Sequence, residues 1–265
     1  MTIHKVISAD GTAIAFEVAG DGGPAVILIG GAFCDRATPV SGTALAGKLA
    51  DRFTVFSYDR RGRGDSGDTA PYAIDREVED LSAIIAAAGG SAFVFGNSSG
   101  ALLALDAAID QRAIPKLACY EPPVILEPAR VTAFEGLVEQ LVDATAGGRR
   151  AEAVELFMTK VMQMPAPALA QLRASPMWRG LERLAHTLSY DVRITTRGPA
   201  RQAQLSQVRA ATLVMTGGAS PPWMRAAIEA VVDAIPGAQH RTLEGQGHVV
   251  DIDVLAGALR DHFAG

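Results

Sequence analysis

The chain has 265 residues, 49% of them hydrophobic and 20% charged, with a formal net charge of −5, which suits one large domain, or a core with an insertion, around a sizeable hydrophobic interior. Lys and Arg are scattered, so no basic stripe of the kind that binds nucleic acid or an anionic membrane is present, and a neutral or weakly polar small molecule is the expected partner. The opening residues Met1-Thr2-Ile3-His4-Lys5 lack a signal-peptide apolar run and no stretch reaches bilayer-spanning length, which predicts a soluble, cytoplasmic protein. Cys34 and Cys119 are the only cysteines, too few for a disulfide framework and without metal-ligand spacing.

In chain order, residues 3–8 and 13–18 alternate about Asp10-Gly11, a hairpin signal. Ala25-Val26-Ile27-Leu28-Ile29 is a continuous apolar run, expected of a strand buried on both faces, and it ends at Gly30-Gly31. A helical stretch over 44–49 leads to a strand at 53–58 and a turn-rich loop, Asp59-Arg60-Arg61-Gly62-Arg63-Gly64-Asp65-Ser66-Gly67. An amphipathic helix over 74–88 stops at Gly89-Gly90 and returns to a strand at 91–95. After a helix from about 101 to 109 comes a strand at 116–120, closed by Glu121-Pro122-Pro123. Strands alternating with helices predict a mainly parallel sheet covered on both faces. From 124 to 206 the pattern is helical throughout, with helices expected over 133–145, 151–162, 166–174 and 177–188. The sheet resumes with strands at 211–216 and 239–243, a helix over 222–234 between them and a terminal helix over 253–263.

Gly96-Asn97-Ser98-Ser99-Gly100 stands between a strand and a helix. In that setting G-x-S-x-G marks a nucleophile elbow: small residues two before and two after the serine let strand and helix close around a strained turn that exposes the hydroxyl. Ser98 is the candidate nucleophile. A serine hydroxyl is weak at neutral pH and needs a base, and the base needs an orienting group. Of the five histidines, His248 lies in Gly245-Gln246-Gly247-His248, after the last strand, where a triad in the chain order serine, acid, histidine puts its base. His4, His240 and His262 read as packing or surface residues.

The acid departs from the commonest arrangement, an Asp after the strand of 211–216. Gly217-Gly218-Ala219-Ser220-Pro221 contains no carboxylate, and Ser220 occupies the position. Glu121 ends the strand that follows the elbow, from which its longer side chain can reach the same histidine, and it is taken as the acid. Asp251 or Glu244, near His248 in sequence, and a dyad with no acid remain as alternatives.

With these residues in view the chain resembles the α/β-hydrolases over nearly its whole length: hairpin, strand to Gly30-Gly31, arginine-rich loop, elbow, helical insertion and terminal Gly-x-Gly-His. The resemblance implies an α/β-hydrolase fold, a mainly parallel eight-stranded sheet with helices on both faces, with core segments at 1–123 and 207–265 and a helical cap at 124–206. Gly96-Asn97-Ser98-Ser99-Gly100-Ala101, Cys119-Tyr120-Glu121-Pro122-Pro123 and Gly217-Gly218-Ala219-Ser220-Pro221 are similar to the zearalenone lactonases, whose acid is likewise a Glu after the strand that follows the elbow. The resemblance also implies an oxyanion hole from the backbone N–H groups of Ala32 and Ser99. Gly30 stands where the superfamily usually has His. Arg60-Arg61-Gly62-Arg63 resembles a phosphate or nucleic-acid patch, but the superfamily's similar loop at this place implies a structural element instead.

Substrate contacts are expected from the insertion and the loops above the elbow: Phe33, Cys34, Val124, Met158, Met162, Trp178, His186, Trp223 and Val249. Apolar, Met-rich surroundings suit a hydrophobic acyl or macrocyclic group. The expected function is a serine hydrolase of a carboxylic ester or lactone, needing no cofactor and no metal, with a hydrophobic ester or lactone as its partner and a homodimer through the cap as an open possibility. The same triad could run perhydrolysis, thioester cleavage or cyclisation. From another class, a low-turnover ligand-binding receptor on the same fold is the alternative.

Overall fold

The apolar run Ala25-Val26-Ile27-Leu28-Ile29 carries side chains for both faces of a sheet, and the fold uses both. In the computed structural model, which describes residues 2–110 and 112–265, it forms strand β3 (Ala25–Ile29) at the middle of an eight-stranded sheet. Val26 and Leu28 enter the core on one face, Ile27 and Ile29 the core on the other.

The remaining strands are β1 (His4–Ile7), β2 (Ala13–Ala19), β4 (Thr54–Tyr58), β5 (Phe93–Asn97), β6 (Lys116–Tyr120), β7 (Ala211–Gly217) and β8 (Gln239–Leu243), in the order β1-β2-β4-β3-β5-β6-β7-β8. The hairpin β1/β2 and the pair β2/β4 are antiparallel and the rest is parallel. Parallel pairing aligns the C-terminal ends of β3, β5, β6, β7 and β8 along one edge, and the loops leaving those ends build the site.

Helices α1 (Thr43–Leu49), α2 (Ile74–Ala87) and α3 (Ser99–Asp110) fall in the first half of the chain. A helical segment follows: α4 (Pro128–Ala146), α5 (Arg150–Lys160), α6 (Ala166–Arg173), α7 (Trp178–Arg183), α8 (Leu188–Thr196) and α9 (Gly198–Gln204). Helices α10 (Pro222–Ala234) and α11 (Ile252–Ala264) complete the order. Leu45 and Leu49 of α1 and Leu255 and Leu259 of α11 cover one sheet face, while α2, α3 and α10 cover the other. Residues 124–207 contain no strand and have a core of their own around Leu137, Leu141, Val154, Phe157, Leu188 and Val192.

The sequence predicts one helix over 177–188, and here the structure differs. Helix α7 stops at Arg183, a 3-10 turn spans Ala185–Thr187, and α8 runs on as a separate helix. Thr187 Oγ1 donates to Leu184 O at 2.9 Å, a local side-chain bond that competes with helix continuation. Among the described residues no helix is long and apolar enough to cross a membrane.

Candidate active site

Ser98 follows β5 directly and α3 begins at the next residue. Its φ is 55°, a left-handed conformation disfavoured for a side chain with a Cβ. The flanking glycines are forced by the closeness of the turn. A Cβ on Gly96 would lie 2.5 Å from Ala101 Cα, and one on Gly100 would lie 2.5 Å from Ile29 O. Ser98 N–H donates to Tyr120 O at 2.9 Å, so the elbow stays zipped to β6. Phe33 (φ 59°), Glu121 (φ 47°) and Gln163 (φ 52°) are the other left-handed non-glycine residues among those described, and all four line one cavity. Such strain, of order 1–3 kcal/mol per residue, concentrates at sites that surrounding structure over-determines.

Glu121 turns off the end of β6, its N–H donating to Met215 O at 3.0 Å. Its carboxylate is fully buried and completely used. Oε2 accepts from His248 Nδ1 at 2.7 Å, while Oε1 accepts from Gly217 N–H at 2.9 Å, from Thr216 Oγ1 at 3.4 Å and, in a short contact, from Ser220 Oγ. Burial alone would raise the Glu121 pKa, but the bonds from His248, Ser220 and Gly217 outweigh it and hold the carboxyl below its ordinary value. Ser220, at the position where the commonest arrangement has its acid, instead donates to the Glu121 carboxylate at the end of the neighbouring strand. Of the alternative carboxylates, Asp251 is engaged elsewhere: its Oδ1 caps α11 by accepting from Asp253 N–H at 2.9 Å and Val254 N–H at 3.1 Å.

The loop that carries His248 is pinned to β6 and β7. Tyr120 Oη makes a short bond to Gly247 O, Ala219 N–H donates to Gln246 O at 2.8 Å, and Gly218 N–H donates to Leu243 O at 2.9 Å. With Nδ1–H donated to Glu121, Nε2 of His248 is the acceptor nitrogen, and it has no hydrogen-bond partner among the described residues. Ser98, Ser99, Ala32, Glu121 and His248 all line the cavity. Ala32 N–H has no acceptor among the described residues, and Ser99 N–H opens α3, where helix amides and the dipole favour negative charge.

The cavity measures about 640 Å³. Phe33, Cys34, Met158, Met162, Trp223 and Val249 line it as expected from the sequence. Three of the expected contacts do not. Val124 is buried against the sheet core, Trp178 packs in the core of the helical segment with Nε1 donating to Glu182 at 3.0 Å, and His186 Nε2 meets Gly62 O at 2.8 Å. Sequence reasoning passed over Phe157, Val161, Val192 and Asp191, which do line it.

Asp191 belongs to a buried charge cluster. The arginine-rich loop is structural: Arg60 pairs with Glu77 (2.6 Å) and Asp191 (2.8 Å), Arg61 with Asp80 (2.7 Å) and Asp10 (2.9 Å), and Arg63 with Asp191 (2.8 Å). Asp191 is 2% exposed. Burial opposes its charge, but Arg63 and Arg60 outweigh that and lower its pKa. A signal existed in the sequence, since three arginines in an apolar chain demand carboxylates if they are buried.

An alpha/beta hydrolase from Sphaerobacter thermophilus DSM 20745 has a similar structure, with a TM-score of 0.86 at 46% identity over 98% of this chain and 100% of that chain. The enol-lactonase of Burkholderia xenovorans LB400 shares the fold at a TM-score of 0.75 and 19% identity, covering 99% of this chain and 100% of that one. The uncharacterized hydrolase YraK of Bacillus subtilis (strain 168) is 28% identical over 164 residues, 59% of this chain, and the chain spans 58% of that relative's length. Residues 22–255 match the alpha/beta hydrolase family as a whole, and the chain belongs to that family.

Proposed function

We propose that the chain is a serine hydrolase of neutral, apolar carboxylic esters or lactones, working through an acyl-enzyme. The observation that carries this reading is the 2.7 Å bond from His248 Nδ1 to the buried Glu121 carboxylate, beside a cavity that also exposes the strained Ser98. Ser98 Oγ attacks the substrate carbonyl while His248 Nε2 takes its proton, and Glu121 stabilises the imidazolium that forms. The N–H groups of Ala32 and Ser99 hold the oxyanion. Collapse expels the alcohol, which His248 protonates, and a water activated by the same nitrogen releases the acid. With a lactone the alcohol stays part of the acyl chain, and the last step releases a single hydroxy acid.

The preference for neutral substrate follows from the lining, where the charged side chains are Glu121 and Asp191 with no Lys or Arg among them. A free carboxylate on the substrate would lose its hydration in an apolar cavity that offers no lysine or arginine to pair with it. The test is turnover of p-nitrophenyl esters of graded acyl length and a lactone panel by wild type and Ser98→Ala, with intact mass used to trap the acyl-enzyme. Wild type inactive on every member, or Ser98→Ala within tenfold of wild type, would sink the reading.

A further inference from the structure

Asp191, on α8 of the helical segment, is 92 residues from Ser99 and 128 from Arg63, yet it holds both. Its Oδ1 accepts from Ser99 Oγ at 2.7 Å, from Arg60 Nη1 at 2.8 Å and from Arg63 Nη2 at 2.9 Å, and Oδ2 takes a second bond from Arg63 Nη2 at 2.8 Å. The other arm of Arg63 donates from Nη1 to Gly31 O at 2.5 Å and to Cys34 O at 3.2 Å, and Arg60 Nη1 also reaches Gly30 O at 3.3 Å.

The Gly31 carbonyl and the Ala32 N–H belong to one peptide plane. A guanidinium on the oxygen fixes the orientation of that plane and draws electron density toward the oxygen, which makes the N–H a stronger donor in a dry site. The Ser99 hydroxyl anchors the first residue of α3, whose N–H is the other proposed donor. We infer that Asp191 is a positioning residue of the hydrolase: through Arg63 and Ser99 it aims both oxyanion donors, so that docking of the helical segment assembles the oxyanion hole. The inference rests on the serine-hydrolase reading and adds to it a residue from outside the sheet.

Helix α8 and the 3-10 turn that leads into it have other anchors that keep them in place when the carboxylate is neutralised. The Tyr72 and Tyr190 rings stack at 3.8 Å, Tyr190 Oη donates to Asp68 at 2.9 Å, and His186 Nε2 meets Gly62 O at 2.8 Å. Asp191→Asn therefore probes aim more than docking.

The experiment compares wild type, Asp191→Asn, Asp191→Glu and Ser99→Ala in kcat and KM for one p-nitrophenyl ester. It also measures affinity for a trifluoromethyl ketone, which forms an oxyanion on addition of a nucleophilic serine, and for the plain methyl ketone of the same chain, which tests cavity filling. Expected is a fall in kcat of about 10²-fold for Asp191→Asn, from misplaced donors, with KM and methyl ketone affinity within about threefold and trifluoromethyl ketone affinity falling in parallel with kcat. Asp191→Glu should recover part of the loss. Ser99→Ala, which keeps both ion pairs and the backbone N–H, should lose about tenfold in kcat and decides the matter if Asp191→Asn does not fold. Unchanged kcat and trifluoromethyl ketone affinity in folded variants, or equal losses for both ketones, overturns the positioning role while leaving the hydrolase reading intact. A wild type that neither turns over ester nor captures the trifluoromethyl ketone overturns both.

Discussion

Glu121 Oε2 lies 2.7 Å from His248 Nδ1, and the Ser220 hydroxyl donates to the other oxygen of the same carboxylate. The carboxylate arrives from the end of β6, beside the elbow, and Ser220 in the loop after β7 supports it. Removing the charge while keeping the shape should therefore disable the site. Glu121→Gln should lower kcat by about 10³- to 10⁴-fold, by the cost of losing the charge that orients and stabilises a triad histidine, and Ser220→Ala by only a few-fold. Steady-state kinetics of the two variants check this, and Glu121→Gln within a few-fold of wild type would refute the assignment.

The same carboxylate links stability to pH. Hydrogen bonds hold the Glu121 pKa below its ordinary value of 4.5 despite burial. On acidification the unfolded chain thus takes up the proton first. The stabilisation is fully present above about pH 4.5 and is lost as pH falls through the lower, folded pKa. Asp191, also lowered, from 3.8, acts in the same direction at lower pH. Urea unfolding at pH 6, 5, 4 and 3 should show a smaller loss of stability for Glu121→Gln than for wild type over this window, and parallel curves would contradict it.

Two glycines separate stability from catalysis. A Cβ on Gly100 would meet Ile29 O at 2.5 Å and Gly30 O at 2.6 Å, backbone atoms that cannot swing away, so Gly100→Ala should cost about 1–3 kcal/mol in denaturant unfolding. A Cβ on Gly31 would sit 2.9 Å from Ser98 Cβ. Gly31→Ala should therefore lower kcat at least about tenfold, with a smaller loss of stability than Gly100→Ala. The reverse ranking would argue against a crowded nucleophile.

Met162 lines the cavity but is 46% exposed, which places it at the rim. Met162→Trp should raise KM for long-chain p-nitrophenyl esters several-fold, leave the acetate within about twofold, and change stability by less than about 0.5 kcal/mol, the usual range for an exposed position. Equal effects on all chain lengths would remove Met162 from the acyl path.

By itself the sequence determined the eight strands, their alternation with helices and the elbow, because each rests on local signals: period-two or continuous apolar runs, Asp-Gly and Gly-Gly turns, and small residues flanking Ser98. It also set Ser98, Glu121 and His248 after β5, β6 and β8, since in a parallel sheet every strand end reaches the same edge. Only the tertiary structure decided what surrounds them. Trp178 and His186 read as well from the chain as Met158 and Met162, but the packing turned Trp178 into the core of the helical segment and set His186, in the 3-10 turn, against Gly62 O, whereas Met158 and Met162 face the cavity. Asp191 carried no local signal, because its partners Arg60 and Arg63 are 131 and 128 residues away and meet it only when α8 folds back over the sheet. A buried charge is specified by its partners, and partners so far apart in the chain are chosen by packing.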